Sequence, residues 1–72
     1  MDMGKIETNV TYSNLEKGIY GLTITRFYRI NWDYDYRVVE DTTPDLDWRD
    51  RKTVYRGSLT NCRQYVYERL NS

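Results

Sequence analysis

Histidine is absent from this chain, cysteine and proline occur once each, and no apolar run approaches a membrane span. Each shortage excludes something. Without histidine the commonest general base is missing, and so is the usual zinc site of Cys and His ligands. A lone Cys62 cannot close an internal disulfide. A bilayer-spanning helix needs about 20 consecutive apolar residues, and the opening Met1-Asp2-Met3-Gly4-Lys5 carries neither the basic nor the apolar region of a signal peptide. The sequence therefore reads as a soluble cytoplasmic protein. Gly4, Gly18, Gly21 and Gly57 are scattered, so no phosphate-cradling loop is present.

At 72 residues the chain makes one domain, and a domain of that size buries only about 60% of the surface its unfolded form exposes. Small domains usually offset this with disulfides, metals or a second chain. Here the first two are closed, which leaves a protein partner or a homodimer.

What the chain does have is alternation. From Tyr20 to Val38 the even positions Tyr20, Leu22, Ile24, Tyr28, Ile30, Trp32, Tyr34, Tyr36 and Val38 are apolar or aromatic, with Arg26 the exception. The odd positions are mostly polar or small. A period of two over that length means strands with one buried face. Ile6, Thr8, Val10 and Tyr12 alternate in the same way, which predicts a first strand over 5–12 and a turn over 13–18. A second strand is expected over 19–31, a third over 35–41 and a fourth over 52–56. Side-chain parity requires an odd loop in the second hairpin. A loop of Trp32-Asp33-Tyr34 sets Tyr28 opposite Val38 and Arg26 opposite Glu40, and Asp33-Tyr34-Asp35 is the competing loop. Ser58 is placed to cap a helix over 59–70 whose Leu59, Cys62, Val66 and Leu70 share one face. The expected fold is α+β: a four-stranded antiparallel meander with one amphipathic C-terminal helix on one face.

Catalysis finds no support in these residues. Cys62 falls on the buried face of the helix, where a thiol behaves as a small hydrophobe. Asp33 with Asp35, and Asp45 with Asp47, are carboxylate pairs, but the EF-hand pattern fails because Arg49 stands where a third ligand is needed. No enzyme activity, metal or cofactor is expected.

Charge and aromatics point to binding. The formal net charge is zero, which argues against a protein devoted to neutralising a phosphate backbone. Asn31 to Trp48 nevertheless carries net −5, and Arg49 to Arg69 net +4. That bipolar chain can steer a partner into one orientation. Eleven aromatics, eight of them tyrosine, exceed what one helix over a four-stranded sheet can cover, and Tyr, Trp and Arg are the types enriched at interface hot spots. The expected partner-binding residues are Trp32 and Tyr34 at the hairpin tip, Asp45, Asp47, Trp48, Arg49 and Arg51 in and after the long loop, and Tyr67 on the outer side of the helix. Two alternatives stand beside this one. A single-stranded nucleic acid could stack on Phe27 while Arg29 and Arg37 hold phosphates, and a self-associating structural protein would use the same rings as a dimer interface.

The segments Tyr36-Arg37-Val38-Val39-Glu40 and Val54-Tyr55-Arg56-Gly57-Ser58-Leu59-Thr60-Asn61-Cys62-Arg63 resemble the C-terminal halves of short proteins encoded by bacteriophages and mobile elements. In those a last strand turns through Gly-Ser/Thr-Leu into a terminal helix. The resemblance covers about the last half of the chain. It implies a small accessory protein that binds and inhibits a host or defence protein, as anti-CRISPR proteins do, in the host cytoplasm.

Overall fold

The computed structural model describes residues 3–28, 34–44 and 50–72, apart from the side chains of residues 3, 27, 28 and 34. Four strands, β1 (Thr11–Asn14), β2 (Ile19–Tyr28), β3 (Tyr34–Asp41) and β4 (Arg51–Gly57), form one antiparallel sheet in the order β1-β2-β3-β4. Helix α1 (Leu59–Asn71) follows and packs on one face. The architecture is the expected α+β meander with a C-terminal helix.

Strand alternation decides which face the helix covers. Leu22 and Ile24 from β2 and Val38 from β3 are fully buried and meet Cys62 and Val66 of α1. Leu59, Tyr65 and Leu70 pack around them half-buried, as do Tyr36, Val54 and Tyr55 from the sheet. The helix begins where Ser58 Oγ accepts from the Asn61 N–H at 3.2 Å. That bond satisfies one of the free N–H groups of the first turn.

The N-terminal segment departs from expectation. The strand expected over 5–12 forms only from Thr11 onward, and Asn9 adopts φ 62. A left-handed residue turns the chain and breaks the alternation. Ile6 then drops fully buried into the core while Val10 stays exposed. Thr8 instead makes a parallel bridge to Ile24, and the Asn9 N–H donates to the Ile24 carbonyl at 2.8 Å. Ser13 and Asn14 belong to β1, so the turn over 13–18 is shorter than expected. It is a 3-10 turn, Leu15–Lys17, closed by Gly18 at φ 72.

A bulge corrects a second expectation. Tyr12 faces Leu22 and Asn14 faces Ile19, so two residues of β2 stand against Ser13 alone. The extra residue reverses parity at the start of β2. Ile19 therefore enters the core and Tyr20 is left 40% exposed.

Between β2 and β3 the parity holds but the register differs from both expected loops. Tyr28 pairs with Tyr34, Arg26 with Tyr36, Ile24 with Val38 and Leu22 with Glu40. Arg26 consequently does not oppose Glu40, and β3 begins at Tyr34. An even shift keeps every side chain on its own face, so the alternating pattern cannot choose among such registers. In the register observed, Ile24 and Val38 face each other within the core.

Candidate interaction surfaces

The face of the sheet opposite α1 is built from the odd residues of β2 and β3. Thr11, Thr23, Val39 and Thr53 form one row across all four strands, and Thr25, Arg37 and Arg56 form the next. The Thr11 and Thr23 hydroxyls are hydrogen-bonded at 2.9 Å. Arg37 Nε donates to Thr25 Oγ1 at 3.2 Å. Arg56 lies 4.0 Å from Asp35 Oδ2, with 58% of its side chain exposed. Thr23, Val39 and Asp41 on this face are buried while Thr11, Arg37, Thr53 and Arg56 are exposed, and no helix or strand among the described residues packs across it.

Asp41 anchors its far corner. The carboxylate is 4% exposed, and Oδ1 accepts from Arg51 Nε at 2.6 Å. A Cβ at Gly21 would come within 2.5 Å of Asp41 Oδ2. Glycine therefore leaves room for a buried carboxylate that holds an arginine, itself 40% exposed, on the open face. The Thr42 N–H and hydroxyl both donate to the Asp50 carbonyl, at 2.7 and 2.9 Å, joining the chain on either side of residues 45–49.

The other layer is held by charge-assisted bonds between α1 and the sheet. Arg69 reaches Glu40 with two nitrogens, at 3.1 and 2.9 Å, and also donates to the Tyr65 hydroxyl at 3.0 Å. Glu40, followed by Tyr65, holds the Arg69 guanidinium protonated well above its ordinary range. The Tyr65 ring stacks on Tyr55 of β4, centroids 5.0 Å apart at 15°. Beside this stack, Tyr55, Asn61, Gln64, Tyr65 and Glu68 line an open cleft of about 240 Å³ between the helix and β4. Arg63 Nε to the Ile6 carbonyl, and Asn14 Nδ2 to the Leu70 carbonyl, both 3.0 Å, tie the N-terminal segment to the helix.

These contacts separate the expected site residues. Arg51 and Arg37 share the open face. Tyr67 does not join them: it sits in the helix layer, half-buried against the core, and is not the outward ring expected from helical spacing. It borders a shallow depression with Glu68, Asn71 and Ser72. Tyr34 opens β3 opposite Tyr28 by its backbone. Trp32, Asp45, Asp47, Trp48 and Arg49, and for the nucleic-acid reading Arg29, lie outside the described residues, as do the side chains of Phe27 and Tyr34. Sequence reasoning missed Asp41, Gly21, Arg56 and the Tyr55–Tyr65 stack. Only the register brings Gly21 beside Asp41, and only the helix position brings Tyr65 onto Tyr55.

Cys62 is fully buried, with Sγ 3.9 Å from the Gly57 carbonyl. Burial, and after it the Asp35 charge, push its thiol pKa upward. That is the reverse of an activated nucleophile. Among the described residues no group of three acidic or cysteine side chains is placed to hold a metal ion, and no helix is long and apolar enough to cross a membrane. No family model, no curated protein and no solved structure matches this chain.

Proposed function

We propose that this chain is a small non-enzymatic protein-binding module, an inhibitor or adaptor that acts on a host or defence protein in the manner of the phage and mobile-element proteins its C-terminal half resembles. Its place of action is then the host cytoplasm. The observation that carries this reading is the pair of fixed guanidiniums on the open sheet face, Arg51 on Asp41 and Arg37 on Thr25. An arginine already held in place loses less rotamer freedom on binding, and arginines are over-represented among the residues that dominate interfaces. The test is affinity for a captured target with Arg51→Ala combined with Asp41→Asn, so that no buried charge is left unpaired, and separately with Trp48→Ala. Each change is expected to weaken binding by about 2 kcal/mol or more with the circular dichroism unchanged. Unaltered affinity in both removes this surface.

One observation favours the nucleic-acid reading. Arg37 and Arg56 are direct neighbours across β3 and β4, a like-charge pair that a phosphate would relieve. Asp35 beside Arg56 weighs against it. Binding that falls steeply with salt and depends on Phe27, Arg29 and Arg37 would select this alternative.

A further inference from the structure

The sheet has two edges, and they are not equivalent. β1 is four residues long, bulged, and continues into a 3-10 turn. Its neighbour β2 also takes the Asn9 N–H at Ile24. Edges of that kind are blunted against further pairing. β4 runs for seven residues, pairs with β3 on one side and, among the described residues, with nothing on the other. Its seven positions carry Arg51, Lys52 and Arg56 and no acid. Arg51, Lys52 and Arg56 are all exposed.

Charge decides what can pair there. A second copy placed antiparallel with Lys52 opposite Tyr55 would set Arg51 opposite Arg56 on one face at both ends of the pairing. Like charges directly opposed are destabilising, and lysine on an edge is a recognised guard against self-pairing. The bulge at Val54, where Val38 pairs with Tyr55 but Val39 with Thr53, adds to that guard. Arg51 is bonded to Asp41 and Arg56 lies 4.0 Å from Asp35, yet their side chains stay 40% and 58% exposed, and with Lys52 they make this edge favour an incoming strand that carries carboxylates. Alongside, the cleft lined by Tyr55 from the strand and by Asn61, Gln64, Tyr65 and Glu68 from the helix opens on the helix side of β4. A strand laid along β4 directs alternate side chains to that side. Strand addition in a groove between an edge strand and a helix combines main-chain hydrogen bonds for affinity with a side-chain pocket for selectivity.

We infer that β4 accepts an extended acidic segment of the partner protein, which adds a fifth strand to the sheet and places one side chain in the Tyr55/Tyr65 cleft. This rests on the protein-binding reading and names the chemistry of the partner. The probe is a library of random heptapeptides displayed on a neutral scaffold and selected against the full chain, followed by hydrogen exchange of the chain with the best synthetic peptide. The expected result is enrichment of Asp and Glu at alternate positions, slowed exchange in β4, and about tenfold weaker binding to Lys52→Glu or Arg56→Glu. Enriched peptides without acidic residues, protection elsewhere, no enrichment at all, or a chain that dimerises through β4 would each overturn it. If a captured protein target is held equally well by wild type, Lys52→Glu and Arg56→Glu, the edge is excluded while protein binding stands; if no target is captured but the acidic peptides bind β4, the edge stands without it.

Discussion

Asp41 is buried on a sheet face that carries exposed arginines, and two neighbours make that tolerable. Gly21 leaves the space and Arg51 supplies the counter-charge. Gly21→Ala is expected to cost about 1–3 kcal/mol, the range of overpacking, because the held carboxylate cannot swing clear and Thr11 Cγ2 stands 2.8 Å from the new Cβ on its other side. A lowered urea midpoint with an unchanged slope would register this. Cys62 gives a second test at this scale. Its thiol pKa is raised in the folded state, so above the ordinary thiol pKa the unfolded chain holds fewer protons than the folded one. Stability from this group is then complete at neutral pH and declines as pH rises through the raised value. Iodoacetamide at pH 8 should label Cys62 only as fast as the chain opens, and labelling should speed up on adding urea. Rapid labelling of the native chain would contradict the burial.

The elements are joined by a few contacts that the sequence could not reveal. Glu40 looks, from alternation alone, like the partner of Arg26 across a hairpin. In the fold it pairs with Arg69 from the last turn of α1. Arg69→Ala should lower stability by about 1 kcal/mol, a value held down by the partial exposure of the pair. A double-mutant cycle with Glu40→Gln would isolate the coupling. Ser58→Ala, which removes the cap on Asn61, should cost about 1 kcal/mol as well. Strands β2 and β3 and the helix were legible because their periods of two and 3.6 persist over long stretches. The first strand was not, because Asn9 turns the chain within an apparently alternating run. The hairpin register was not either, since parity fixes only odd against even. Of the expected site residues, Arg37 follows from alternation, whereas Arg51 precedes the strand expected over 52–56 and only the structure places it at the start of β4, bonded to Asp41. Tyr67 was misplaced because at the end of a helix even the flank can rest on the core.

Across the whole molecule, the sequence's acidic middle and basic end are folded together as β3 against β4 and α1. Asp41 with Arg51, Asp35 with Arg56 and Glu40 with Arg69 absorb part of the polarity. What remains is a thin domain, 38 × 29 × 15 Å, with exposed threonines and arginines on the sheet face opposite α1, a cationic edge strand and a tyrosine-lined cleft on the helix side. We propose that another protein covers part of this surface. The most direct measurement is size-exclusion chromatography with light scattering on the chain alone, with host nucleic acid and with host lysate, and with the Arg51→Ala/Asp41→Asn variant in parallel. The expected result is a monomer that takes up one protein species in a fixed ratio, ignores nucleic acid at physiological salt, and loses the complex in the variant. A stable dimer indifferent to lysate, or a chain that shifts only with nucleic acid, would contradict it.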